Sequence, residues 1–348
     1  MKGHVLSIIN GGMDRMNNII TLSQGDGGKQ TRKLIQQLFY HYFDNPLLLS
    51  GQDSAVIDSF DGKLAFTTDS FVVKPVFFNG GDIGKLAVCG TVNDLAVSGA
   101  KPLYISSGFV IEEGFLYSDL VKIVQSMKAM CEECGALIVT GDTKVVEKGG
   151  LDGIYINTSG IGSIMSGFEP KPLVAGDQII VSGTIGEHGT TIAINRYHLN
   201  IEGKISSDCA PLYSVVKALK EYAASIKIMR DPTRGGLATV LHEFALDSGL
   251  GMHLFKQQIP ISDGVRSVTH LLGLDPYYMA CEGRMVLVVS EKESQAIVKK
   301  LQSLEVSKDA AIIGCVVNDS KGKVYVENEY GGKRIISDYD GIMLPRIC

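Results

Sequence analysis

The chain has 348 residues, 45% hydrophobic and 20% charged, with a formal net charge of −5. That balance excludes a disordered chain and argues against a nucleic-acid binder, whose phosphate contacts need a basic surface. No apolar run reaches the ~18 residues of a membrane span, and Val5–Ile9 is too short for a signal-peptide core.

Such a length suits about two domains at ~100–200 residues each, and 40 glycines against 10 prolines point to many tight turns. Residues 1–21 read as an N-terminal arm. Ile19–Ser23 then runs into Gly25-Asp26-Gly27-Gly28-Lys29, and Leu34, Ile35, Leu38 and Phe39 recur at helical spacing. A glycine-rich turn therefore opens a helix. Ala55–Ile57 and Leu64–Thr68 read as strands joined through the turn signal Asp61-Gly62. Ile83–Ser98 is a helix of small residues, Ile105–Ile111 a strand, and Ser118–Cys134 an amphipathic helix capped by Ser118. Ala136–Thr140 and the alternating Ile154–Ile161 are strands.

Ser163–Gly176, with Pro170 and Pro172, marks the domain boundary. Beyond it, Gln178–Ser182, Met285–Val289 and Ala311–Val317 read as strands, and Pro211–Ala224, Leu237–Ser248 and Ser294–Leu304 as helices. Lys323–Glu327 and Lys333–Ser337 form a last hairpin around Gly331-Gly332. Both halves are mixed α and β.

Asp53, Asp69, Asp94, Asp142 and Asp231 share small polar neighbours, and most follow an apolar strand or open a turn. Hard oxygen ligands converging there would hold Mg²⁺, which usually arrives with phosphates. Taken singly, each aspartate would cap a helix or close an Asx-turn. The loop Ser23–Lys29 is like a phosphate cradle but is no P-loop. Ser23 occupies its first glycine position, and Gln30 stands where the metal-binding hydroxyl belongs. Another glycine-rich phosphate loop and a plain turn both stay open.

Seven scattered cysteines, an odd number, read as reduced thiols in the cytoplasm. Cys131 and Cys134 lack a second pair at zinc spacing and read as buried helix residues. His188, in Gly-Glu-His-Gly-Thr-Thr, is weak evidence for a phosphate contact, and no G-x-S-x-G elbow occurs. Cys348 ends the chain after Met-Leu-Pro-Arg-Ile. The tail from Tyr330 spans about 60 Å when extended, enough to carry a thiol into a cleft. An incidental terminal cysteine is the alternative.

Several segments together resemble the aminoimidazole-ribonucleotide synthetase (PurM-like) superfamily. They are Gln-Asp-Ser-Ala-Val (52–56), Thr-Thr-Asp-Ser-Phe (67–71), Gly-Gly-Asp-Ile-Gly (80–84) and Gly-Thr-Val-Asn-Asp-Leu-Ala (90–96). Thr-Gly-Asp-Thr-Lys (140–144), Arg-Asp-Pro-Thr-Arg-Gly-Gly (230–236) and Cys-Glu-Gly-Arg (281–284) complete the set. The terminal Pro-Arg-Ile-Cys narrows the resemblance to the hydrogenase-maturation branch. Gln24 departs from the histidine expected before the glycine loop.

The resemblance implies an α+β, two-domain fold. An N-terminal ATP-binding sheet domain (22–165) forms a barrel with its copy in a homodimer, and a C-terminal α/β domain (173–328) precedes a mobile tail (329–348). It implies ATP and Mg²⁺ in a cleft, with Asp53, Asp94 and Asp231 as metal ligands. Asp69, Asn93, Asp142, Arg234 and the loop residues Gly25, Gly27, Gly28 and Lys29 would bind the nucleotide.

It further implies ATP-dependent dehydration of an S-carbamoyl group on Cys348 to a thiocyanate, with Lys144 and Glu282 orienting and deprotonating the carboxamide. The carbamoyltransferase HypF would load the thiol, and the HypC–HypD iron scaffold would receive the cyanide. Two rivals stand beside this. Another ATP-dependent synthetase, of selenophosphate or purine-pathway type, would not need Cys348. A non-catalytic carrier or scaffold would release no phosphate.

Overall fold

The computed structural model describes residues 18–338 except 53, 202 and 204. Asp53, Cys348, most of the expected arm and the second half of the expected tail lie outside the described residues.

The glycine-rich turn does open a helix. Gly28 precedes α1 (Lys29–Leu34), which passes through a π turn over Ile35–Phe39 into α2 (Tyr40–Tyr42). Asn45 caps α3 (Pro46–Leu49), its Oδ1 accepting the Leu48 N–H at 3.1 Å. Leu34, Leu38, Phe39 and Phe43 are buried along this run.

The first sheet contains β1 (Leu64–Phe71), β4 (Ala100–Glu112), β5 (Leu137–Val146) and β6 (Ile154–Ile164), in the order β1-β6-β4-β5. Between β1 and β4 come the short ribbon β2 (Phe77–Phe78) and β3 (Gly81–Asp82), then α4 (Ile83–Val97). The helix α5 (Tyr117–Cys134) precedes β5. The expected hairpin through Asp61-Gly62 is absent. Ala55–Ile57 forms no strand, and β1 pairs antiparallel with β6, Leu64 opposite Ser163. The eight-residue ladder with β6 outweighs what a three-residue local partner could offer. Nor does Ser118 cap α5. The helix starts at Tyr117, whose N–H is taken by the Asn18 carbonyl at 3.0 Å.

Helix α4 is buried along nearly its whole length, because small residues let it lie flat on the sheet. A Cβ at Gly90 would sit 2.7 Å from the Phe71 ring. Its last turn, Ala96–Val97, joins a core otherwise built from the second half.

That half contains β7 (Gln178–Val181), α6 (Glu187–Arg196), α7 (Tyr213–Ala218), β8 (Ile226–Arg230), α8 (Gly236–Ser248) and β9 (Gly251–Phe255). It continues through α9 (Asp263–Leu272), β10 (Val286–Val289), α10 (Glu291–Gln302), β11 (Ala311–Val317), β12 (Val324–Glu327) and β13 (Lys333–Ile336). Its seven strands run β13-β12-β9-β11-β7-β10-β8, and every pairing is antiparallel except β9 with β12. Leu237, Leu241 and Phe244 of α8 pack on one face, and Ile297 and Leu301 of α10 on the other. In the connection between the halves, Lys171 Nζ donates to the carbonyls of Gly167, Glu169, Ala223 and Ile226 at 2.9–3.1 Å. Among the described residues no helix is long and apolar enough to cross a membrane.

Candidate active site

The aspartates do not sit mainly in loops, as the sequence suggests. Asp69 lies inside β1, Asp94 inside α4 and Asp142 inside β5, while Asp231 directly follows β8. Asp69 alternates onto the face covered by α4, where a Cβ at Gly90 would stand 3.7 Å from its Oδ2. One turn further along α4, Asp94 Oδ2 accepts the Thr67 hydroxyl at 2.7 Å. Burial raises the proton affinity of both carboxyls; Asp94 adds to the effect on Asp69, while Arg234 and Arg230 oppose it at Asp69 and Asp94 respectively. Asp231 is pushed up to about 7, first by burial and then by the charge of Asp94.

Glu282 completes this group. It is 6% exposed, and burial pushes its carboxyl well above the usual range, with Cys209, Asp231, Asp208 and Asp69 adding to the effect. The preceding Cys281 N–H donates to the Pro232 carbonyl at 3.0 Å, which ties the Cys-Glu-Gly-Arg turn to the segment of Asp231. Arg234 is exposed beside the group. Among the described residues, no three acidic, histidine or cysteine side chains are arranged to hold a metal ion. The donors are nonetheless all carboxylate oxygens, and neighbouring carboxylates raise the proton affinity of Asp69, Asp231 and Glu282, the electrostatic setting a divalent cation relieves.

A second group lies elsewhere. Gly25, Gly27, Phe39, Gln52, Asp142 and Lys144 help line a cavity of about 330 Å³ beside β5. Gly25 is required there, since a Cβ would meet the Val145 backbone nitrogen at 2.3 Å. Gly28 and Lys29 open α1 next to it. Asp69 and Asp142 stand at opposite edges of the sheet. The row Asp69–Thr158–Ser107–Gly141 spans three strand spacings, about 14 Å. Lys144 pairs with Asp142 at 3.1 Å, and among the described residues no hydrogen bond or ion pair joins it to Glu282.

Asn93, expected at the nucleotide, stands on α4 between the two halves. It is 1% exposed, and its Nδ2 donates to the carbonyls of Ala210 and Glu282, both at 3.1 Å, while Oδ1 accepts the Leu212 N–H at 2.8 Å. These bonds occupy the amide, which clamps the two halves together. Composition and spacing give no hint of Asp208, and Arg284 is only the last residue of the quoted Cys-Glu-Gly-Arg. Thr67 sits in the quoted Thr-Thr-Asp-Ser, but its role depends on packing against α4.

The AIR synthase related protein N-terminal domain matches residues 51–164, and the corresponding C-terminal domain matches residues 174–327. Carbamoyl dehydratase HypE of Bradyrhizobium diazoefficiens is 44% identical over 339 residues, 97% of this chain and 98% of its own. The chain belongs to the HypE family. A solved HypE in complex with ATP superposes with a TM-score of 0.88 at 42% identity, covering 94% of this chain and 99% of that one. HypE from a HypE–HypF complex gives 0.77 at 44% identity, with 87% and 99% covered. Gln24 Oε1 accepts the Thr21 N–H at 2.9 Å and so closes the turn before the glycine loop.

Proposed function

We propose that this chain is the ATP-dependent carbamoyl dehydratase of [NiFe]-hydrogenase maturation. HypF loads a carbamoyl group onto the thiol of Cys348. A carboxamide oxygen is a poor leaving group, so ATP phosphorylates it and it departs as phosphate. The nitrogen gives up two protons in the same process, leaving a thiocyanate on Cys348 together with ADP and phosphate. Cyanide then passes to iron on the HypC–HypD scaffold.

The observation that carries this reading is the placement of Glu282 beside Asp69, Asp94 and Asp231 in a chain of the HypE family. A carboxylate with raised proton affinity is a strong base for the nitrogen protons. Asp94 and Asp231, with Asp53, would hold magnesium, which neutralises charge on the transferred phosphoryl group. The cavity lined by Gly25, Gly27 and Asp142 takes the nucleotide, with Gly28 and Lys29 at its rim and Arg234 beside Asp69. The free state of the six described cysteines suits a cytoplasmic protein.

A second copy packs on the open face of the N-terminal sheet, where Phe66 and Leu64 are 71% and 48% exposed. Asp142 and Lys144, set apart from Asp69, then serve the neighbouring copy's carboxylates. Mixing Lys144→Ala with Glu282→Gln chains should restore part of the activity that each lacks alone. A mixture as inactive as its components would overturn the shared site.

The reaction itself is tested by intact mass. Carbamoyl donor and HypF should add one carbamoyl group to the full chain, and ATP should then remove one water. A Cys348→Ala chain that still gains the adduct rejects the assignment.

A further inference from the structure

The turn that carries Glu282 is fixed to a segment that none of the motifs includes. Asp208 lies in Ser-Ser-Asp-Cys-Ala, on the stretch between α6 and α7, and its side chain is 1% exposed. Its Oδ1 accepts the Glu282 backbone N–H at 3.2 Å. Its Oδ2 stands 3.8 Å from Arg284 Nε and has no hydrogen-bond partner among the described residues. Arg284 is itself anchored, donating to the carbonyls of Thr184, Gly283 and Val306 at 3.0–3.1 Å. Two further donors hold the other side of the Glu282 peptide. Its carbonyl accepts Asn93 Nδ2 at 3.1 Å and the Ala210 N–H at 3.4 Å.

A buried carboxylate costs a great deal unless it is paired and hydrogen-bonded. Asp208 has one guanidinium beside it, not in contact range for a tight bidentate pair, and backbone N–H groups of its own and of the Glu282-Gly283 turn. Buried Asp82 and Asp177 likewise accept backbone N–H groups, from Gly84 and Lys85 and from Val174 respectively. What distinguishes this turn is that it presents Glu282.

We propose that Asp208 is a positioning residue for Glu282. It sets the peptide from which that side chain reaches the carboxamide, with Arg284 steadying the Asp208 carboxylate. The inference rests on the reading of Glu282 as the proton acceptor. Proton transfer tolerates little displacement, and a misplacement of about 1 Å costs on the order of 100-fold. Nothing in the nucleotide cavity touches Asp208, so ATP binding should be untouched.

The test uses the full, carbamoylated chain and compares Asp208→Ala, Asp208→Asn and Glu282→Gln by single-turnover phosphate release and by ATP affinity. Asp208→Asn keeps an acceptor for the Glu282 N–H and is expected to stay within about threefold of the parent rate. Asp208→Ala should lose about 10- to 100-fold in turnover with ATP affinity unchanged, and should cost nothing more in a Glu282→Gln background. Where Asp208→Ala does not fold, Asp208→Ser replaces it, since its hydroxyl is too short to reach the amide. Full turnover by Asp208→Ala or Asp208→Ser, with Glu282→Gln inactive, overturns the positioning role and leaves Glu282 as the base. Equal losses in Asp208→Asn and Asp208→Ala also overturn it. Full turnover by Glu282→Gln instead removes the base assignment on which the inference stands.

Discussion

The side-chain amide of Asn93 donates to the carbonyl of Glu282 at 3.1 Å, joining helix α4 of the first half to the Cys-Glu-Gly-Arg turn of the second. The next residue along α4 is Asp94, so one helix turn fixes the carboxylate site and the base in a single frame. Asn93→Ala removes the partner of the Leu212 N–H and one donor each from the Ala210 and Glu282 carbonyls. It should destabilise the protein by about 2–4 kcal/mol, read by urea unfolding, and slow turnover more than it weakens ATP binding. Unchanged stability with lost ATP affinity would return Asn93 to the nucleotide.

Gly283 is a glycine for reasons of contact and not of backbone angle. A Cβ there would lie 1.9 Å from the Asp208 carbonyl oxygen and 2.9 Å from the Ala210 nitrogen. Neither backbone can retreat without breaking the bonds that hold Glu282. Gly283→Ala should therefore abolish turnover. At Gly114, φ is +95° and nothing lies near a Cβ, so Gly114→Ala should cost about 1 kcal/mol and leave turnover intact. Melting curves alongside phosphate release separate the two.

The sequence carried the elements whose patterns are local. Leu237–Ser248 and Ala311–Val317 are legible because an apolar stripe and an apolar run report burial directly. The strand pairing of Leu64–Thr68 was not legible, because its partner β6 lies far along the chain and the nearby Asp61-Gly62 turn competes as a signal. The motifs named Asp69, Asp94, Asp231 and Glu282, which the fold does assemble. They could not say that Asn93 is spent on the domain contact, or that Asp142 stands across the sheet. Both depend on which side chain packing leaves free.

Asp231, whose carboxyl is pushed up to about 7, gives the apo protein a defined pH response. A folded value above the ordinary 3.8 means that the fold favours the protonated form. That contribution is complete below about pH 3.8 and is lost as pH rises through about 7. Without metal, Asp231→Asn should thus exceed the parent by about 1–2 kcal/mol at pH 8 and match it near pH 4. A bound cation displaces the proton, so magnesium with ATP should raise the parent's melting temperature more at pH 8 than at pH 6. Identical shifts at both values would sink Asp231 as a cation ligand.

His188 gives the opposite response. The ring is fully buried, with Nδ1 2.8 Å from the Ser207 hydroxyl and its edge toward Phe78 at 5.3 Å between centroids. Nε2 has no partner among the described residues. Burial lowers the ring to about 3 from its ordinary 6.5, so the folded state holds it neutral while the unfolded chain takes up a proton. The stability is whole above about pH 6.5 and drains away toward pH 3, by roughly 1.4 kcal/mol per pH unit. Asp69, Asp94 and Asp231 titrate with the reverse sign, so only a difference between variants isolates the histidine. His188→Asn keeps a partner for Ser207 and removes the titration. It should be less stable than the parent at pH 7.5, from the lost ring packing, yet lose stability less steeply between pH 6.5 and 4.5. Parallel urea-unfolding slopes for the two proteins across that interval would show that His188 is not the group responsible.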